Sequence, residues 1–422
     1  MTNDWYKLDY AGDLFSATQS EKNSSVFRIA VVMTSPVDAV HLQKAADTVA
    51  RRFPMFMVKI HKGVFWNYMD KNTGYFTIEK EEHAPCRKMD RSENNGYQFK
   101  ILYFQNRISL EISHVLADGR GAMEFLKSLL YYYLSYCGYE QEPDCGILLE
   151  GDPFDPGESE DSFEKYSANT YYERIKSPKA YRIKGTSFES LGTNVVHGIV
   201  SAGELTALAQ KNKSTITAYL AALLIHAIYQ TRVRVDGSKL PIVVAVPVNL
   251  RKQFPSKTLR NFFGVVHIGG EISDEVTFDE LVVHCTKMLK HKTEKYYLQN
   301  IICSNVALES SVAKTLPLIF KKRIIRLCFR LSGGKKSTIS LTNVGTLQLP
   351  EHMQRHISQM EAMLYPNFHS PINCGICTLG DKLTISFSRN IVEADILQYF
   401  FSYLSEQLSS PVELYSNDWG NL

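Results

Sequence analysis

His114 and Asp118 stand four positions apart in the segment Ser113-His114-Val115-Leu116-Ala117-Asp118-Gly119-Arg120-Gly121. An imidazole titrates near the pH at which most enzymes work, so His114 can serve as a general base. Asp118 can help it in two ways, by orienting the ring directly as a triad carboxylate does, or by pairing with an arginine and fixing the loop. Two other readings compete. The spacing would suit a pair of metal ligands on a helix, but Gly119 and Gly121 argue for a turn, and no HExxH string or third nearby ligand accompanies it, so no metal is assigned. The plainest alternative is a satisfied, half-buried histidine at a strand end.

The flanking periodicities say what must hold these residues. Residues 97–104 and 107–112 read as a hairpin turning at Gln105-Asn106, whose second strand delivers the histidine. Residues 122–136 read as a helix with Phe125, Leu126, Leu129, Leu130, Tyr133 and Leu134 on one side. Upstream, 25–33 is a strand and 37–53 an amphipathic helix with Leu42, Ala45, Ala46 and Val49 inward, followed by a meander over 55–61, 64–69 and 75–79. Residues 5–15 are loop or short helix. An acidic, Gly- and Pro-rich stretch from 138 to 166 reads as an exposed crossover. Beyond it come a strand at 194–200, a helix at 202–210 capped by Ser201, and a long Ala/Leu helix at 215–233. Strands follow at 240–247 and 265–269, helices over 278–298 and 308–331, a strand at 338–342, a hairpin of 370–379 with 382–388, and a closing helix at 394–408. This order predicts an α/β protein of two similar domains, residues 1–157 and 191–422, joined by a crossover at 158–190.

Bulk composition fits that organisation. The chain has 422 residues, 44% hydrophobic and 22% charged, more than a single core usually holds. Its formal charge of +3 gives no basis for expecting nucleic acid. Eight scattered cysteines in a large chain point to free thiols and a reducing compartment. No signal-peptide core opens the chain, and the longest apolar run, 218–228, is too short to span a bilayer. A cytoplasmic location is expected, with peripheral membrane contact left open.

SHVLADGRG, between a hairpin strand and a Phe/Leu-rich helix, resembles the active-site motif of the chloramphenicol-acetyltransferase-like superfamily. That superfamily includes BAHD acyltransferases, alcohol acetyltransferases and the condensation domains of peptide synthetases. A second block, Val246-Pro247-Val248-Asn249-Leu250-Arg251 followed by Asn261-Phe262-Phe263-Gly264, is similar to the BAHD strand that ends in an arginine before an aromatic-Phe-Gly. Leu341-Thr342-Asn343-Val344-Gly345-Thr346 occupies the place of the DFGWG motif but keeps only its last glycine. The opening segment, with VFRIAVVM and a helix ending in RRFP, resembles alcohol acetyltransferase-like proteins.

The resemblance implies two chloramphenicol acetyltransferase-like αβ domains with an active-site channel between them. It implies an acyltransferase that moves an acyl group, acetyl being one case, from coenzyme A to an alcohol or amine. His114 would be the base, Asp118 a structural partner of Arg251, and Gly119 a tight turn beside the substrate. Acyl-CoA would be a co-substrate, with no tightly bound cofactor. Two alternatives stand beside this: a donor held on an acyl or peptidyl carrier protein, and a catalytically silent binding homologue. Condensation domains usually carry a second histidine where this chain has Ser113, which leans away from the carrier-bound donor. Thr342 and Asn343 are oxyanion candidates, against a reading in which Asn343 and Gly345 build a turn. Lys335 and Lys336, in the densest basic stretch around Gly333-Gly334, are candidates for coenzyme A phosphates, against a solvated face. Cys374 and Cys377 lie three apart on a predicted strand and should point to opposite faces, which disfavours a redox or zinc pair.

Overall fold

The structure is a computed structural model and describes residues 5–417 except 91, 93, 168–172, 174–178, 189–191, 314–316 and 332–334. The N-terminal half runs β1 (Trp5–Lys7), α1 (Tyr10–Thr18), β2 (Val26–Met33), α2 (Ala39–Arg52), β3 (Val58–Lys62), β4 (Asn67–Lys71), β5 (Glu79–Lys80), β6 (Phe99–Phe104), β7 (Arg107–Ser113), α3 (Gly119–Tyr136) and α4 (Ser162–Tyr166). The second half begins with β8 (Asn194–Ser201), α5 (Ala202–Lys211), α6 (Ile216–Ile228), α7 (Arg234–Asp236), β9 (Ile242–Asn249) and β10 (Phe263–Gly270). It continues with α8 (Phe278–Lys292), α9 (Lys295–Ala313), α10 (Leu318–Leu331), β11 (Ile339–Thr346), α11 (Glu351–Gln354), β12 (Ile357–Leu364), β13 (Ile372–Leu379), β14 (Lys382–Arg389), α12 (Asp395–Gln407) and β15 (Glu413–Asn417).

Among the described residues these strands form three sheets, ordered β12-β2-β7-β6-β5, β10-β9-β11-β13-β14-β8-β15 and β1-β4-β3. The first two define two αβ lobes. Their cores are separate: Leu110, Ile112, Phe125 and Leu129 belong to one, Leu220, Leu224, Ile376 and Phe400 to the other.

The lobes interlock rather than merely abut. β12, from the second half, pairs antiparallel with β2 of the first-lobe sheet, Met360 opposite Val31. Its backbone presses so closely on β13 that a Cβ on Gly375 would lie 2.2 Å from the Ala362 carbonyl oxygen. Glu361 on β12 is buried and accepts from Tyr415 of the second-lobe sheet at 2.7 Å and from Arg107 of the first at 3.3 Å. The expected segment 191–422 therefore includes one strand that completes the other lobe.

Several local expectations need correction. β5 does not extend the β3–β4 hairpin; it pairs parallel with β6 in a different sheet. The 158–190 crossover is not simply exposed. Glu158 is buried and takes two hydrogen bonds from Arg52, at 2.7 and 2.8 Å, and Phe163 lies in the second core. Much of the rest of that crossover, and Gly333-Gly334, lies outside the described residues. The residues read as a turn around Gly119 and Gly121 are the first turn of α3, with Asp118 as its N-cap. Cys374 and Cys377 do face opposite ways, one into each core.

Candidate active site

His114 follows directly on β7, and its amide donates to the Ser25 carbonyl at 2.8 Å, tying it to the start of β2. Phe15 of α1 stacks on the ring with centroids 4.8 Å apart and planes at 18°; Phe27 of β2 lies at 4.5 Å and Phe263 of β10 at 5.7 Å. These three rings flank the imidazole at the lobe seam, where the passage is expected. The residue keeps part of its surface exposed, while Nδ1 is sealed and has no hydrogen-bond partner. The accessible edge is therefore on the Nε2 side. Burial pushes the imidazole down to about 4, against which the Asp118 charge works weakly, so the ring is neutral at neutral pH.

Asp118 does not bond to that ring. Its Oδ1 accepts from the amides of Arg120 (3.0 Å) and Gly121 (3.3 Å), capping α3. Its Oδ2 accepts from Arg251 Nη1 and from the Phe262 amide, each at 2.8 Å. Arg251 follows β9 and is itself fixed by the carbonyls of Thr258, Arg260 and Phe262 at 2.6 to 3.3 Å. A carboxylate and a planar fork, both nearly buried, thus join the histidine loop to the second lobe.

Gly119 has an ordinary backbone conformation, and a Cβ there would only touch Val344 Cγ1 at 3.6 Å. The steric demand expected at Gly119 falls on Gly121, where a Cβ would stand 2.0 Å from the Leu259 carbonyl oxygen. Val344, on β11, is one of the second lobe's contacts with the loop. Thr342 lies two residues before it, ahead of a β-bulge between Asn343 and Gly345, and its hydroxyl is buried without a partner. Asn343 points the other way and donates to Thr217 of α6 at 3.1 Å while accepting from Gly345 at 3.0 Å, the turn-building arrangement. Lys335 and Lys336 are exposed and precede the start of β11.

The sequence reading missed a second polar set. Asn261 donates through Nδ2 to the His114 carbonyl at 2.9 Å and to both carboxylate oxygens of Asp9 at 3.3 Å. Asp9 caps α1 through the Gly12 amide at 2.7 Å, so the helix carrying Phe15 and the loop carrying His114 share one anchor. Burial pushes the Asp9 carboxyl up to about 6, although Arg260 beside it acts the other way. An Asp ahead of an apolar run was the available signal for the cap; nothing local pairs it with Asn261.

No protein-family profile matches this sequence, and no curated protein sequence matches it. Solved structures do. The chain is similar to polyketide synthase associated protein 5 from Mycobacterium tuberculosis, at 15% identity and a TM-score of 0.59, over 94% of this chain and 96% of that one. It is similar to the condensation domain of the monacolin K polyketide synthase at 12% identity and 0.59, over 96% of each. Trichothecene 15-O-acetyltransferase from Fusarium sporotrichioides matches at 12% identity and 0.59, over 95% of this chain and 94% of that one. The likeness is one of fold: two interlocked αβ lobes, shared with these condensation-domain and acetyltransferase structures.

Proposed function

We propose that the chain is an acyltransferase, moving an acyl group from a thioester, coenzyme A in the first instance, to an alcohol or amine. The observation that carries this is a neutral, partly accessible imidazole at the seam of the two lobes, on a loop clamped by Asp118 and Arg251. The Nε2 side of His114 takes the proton from the acceptor as its oxygen or nitrogen attacks the thioester carbonyl carbon. The tetrahedral intermediate puts negative charge on the former carbonyl oxygen, for which the unpartnered Thr342 hydroxyl of β11 is the candidate donor. Collapse breaks the C–S bond, and the proton held by the imidazolium goes to the departing thiolate. Asp118 and Arg251 position the loop and take no proton. The lobe seam would supply the channel once Phe15 or Phe263 turns aside.

The same aromatic cage favours a second reading, a binding homologue that no longer turns over. Thiol release separates them. Acetyl-, malonyl- and longer acyl-CoA offered with mixed alcohols and amines should give release that His114→Ala abolishes without unfolding the protein. Release unaffected by His114→Ala, or none from any CoA or carrier-bound thioester, rejects the acyl-transfer reading.

A further inference from the structure

A helix on a soluble lobe normally turns its apolar stripe inward. α10 turns Leu318 and Ile325 partly inward but also leaves a set of large apolar side chains in solvent. It is held to the body of the protein by polar contacts: the Leu318 amide to the Val64 carbonyl at 2.8 Å, Lys322 Nζ to Asn67 Oδ1 at 3.3 Å, and Arg326 Nε to the Ala17 carbonyl at 2.7 Å. Ile319, Phe320, Ile324 and Leu327 point away from that seam, within one arc of about 140° at helical spacing. Val64 and Trp66, at the β3–β4 turn bonded to the start of α10, extend the same surface. These six side chains are exposed by between 39% (Ile324) and 71% (Val64), far more than isolated surface apolar residues would explain.

The charge around this patch is one-sided. Arg323 lies inside the exposed arc, Arg326 at its edge and Lys62 at the end of β3, all exposed. Residues 310–350 contain eight Lys or Arg and not one Asp or Glu, in a chain whose overall formal balance is only +3. Aromatic and aliphatic side chains projecting between guanidinium and ammonium groups, with an indole at the rim, make an interfacial surface. Apolar groups of this kind enter the acyl region of a leaflet while the cations meet lipid phosphates and carboxylates.

We propose that α10 and the β3–β4 turn form a peripheral docking surface for an anionic lipid bilayer. The surface is one helix from the candidate site, since Arg326 holds the end of α1 and α1 carries Phe15 onto His114. Docking there would bring apolar acceptors or donors dissolved in the bilayer close to the seam. The proposal does not depend on acyl transfer, and its test needs no turnover.

Flotation of the full chain with phosphatidylcholine vesicles, with and without about 30% phosphatidylserine, tests it. Binding is expected to the anionic vesicles, weak to the neutral ones, and reduced by raised salt. Arg323→Glu and Lys62→Glu should each lower the partition constant about fivefold or more. Phe320→Ser with Leu327→Ser should abolish flotation, with thermal unfolding unchanged because these side chains are already in water. No flotation with either vesicle, or flotation that all these variants leave intact, overturns the proposal. So does a concentration-dependent dimer lost in the same variants without vesicle binding, which would give the face to a second copy. Capture of an acidic protein by this face in the absence of vesicle binding overturns it too.

Discussion

Arg251 meets Asp118 across the lobe seam, with Nη1 2.8 Å from Oδ2 and Nη2 3.3 Å from Oδ1. The same carboxylate caps α3 and receives the Phe262 amide, so one side chain sets the loop, the helix start and the partner lobe together.

Removing either partner leaves the other nearly buried and uncompensated, a loss of about 3–5 kcal/mol. Arg251→Met and Asp118→Ala should each lower the urea midpoint on that scale, and the double variant should be less unstable than their sum. Asp118→Asn keeps a capping oxygen but weakens the charged pair, and should fall between. Additive losses in the double variant would show that the pair is not the coupling element.

The two glycines of the motif should behave oppositely. Gly121→Ala drives a Cβ onto the Leu259 carbonyl oxygen, backbone that cannot swing aside, and should cost several degrees of melting temperature or solubility. Gly119→Ala meets only Val344 Cγ1 at contact distance and gains helix propensity of up to about 1 kcal/mol. It should melt at or above the wild-type temperature. Equal melting of the two variants would contradict the geometry.

That contrast also marks what could be read before the fold. The strand, turn and helix around His114 were legible because their periods differ and their lengths are ordinary. The Asp118–Arg251 pairing came from the resemblance, since the residues are 133 positions apart. Which glycine is constrained depends on Leu259, which no local pattern connects to Gly121. β12 has no legible period because it is buried on both faces and reads ISQMEAML, with Glu361 satisfied chiefly by Tyr415 and Arg107 of other strands. The aromatic cage was equally hidden: Phe15, Phe27 and Phe263 come from three separated segments.

The cage predicts reactivity. Phe15 covers one face of His114, so Phe15→Ala should raise the rate of carbethoxylation of His114 by diethylpyrocarbonate, followed by peptide mass. It should also favour bulky acceptors over small ones in any turnover assay. An unchanged modification rate would mean that access comes from the Phe27 or Phe263 side.

Acidification should act on two groups with opposite sign. His114 is held at about 4, below its ordinary 6.5, so the folded state binds fewer protons than the unfolded one in that window and stability falls as pH drops through it. Asp9 is raised from 3.8 to about 6, so the folded state binds more protons there and stability falls as pH rises through it. The two partly cancel between about pH 6 and 4. Asp9→Asn should therefore lose stability more steeply than wild type on acidification, and His114→Ala less steeply, in urea midpoints at each pH. Parallel profiles for all three proteins would refute the assignment.

Asn261 is the remaining link between these groups, and its role is positional. Without its amide, the His114 carbonyl and the Asp9 carboxylate each lose a buried donor, a cost of about 1–3 kcal/mol. Asn261→Asp should be worse than Asn261→Ala, because it sets a carboxylate against a carboxylate and a carbonyl. If the loop's register matters to the chemistry, Asn261→Ala lowers kcat while KM for the thioester stays close to wild type, since the substituted group faces the backbone of His114 and not the open edge of the ring. A rise in KM at constant kcat would instead place Asn261 in contact with substrate, and that would move it from anchor to binding residue.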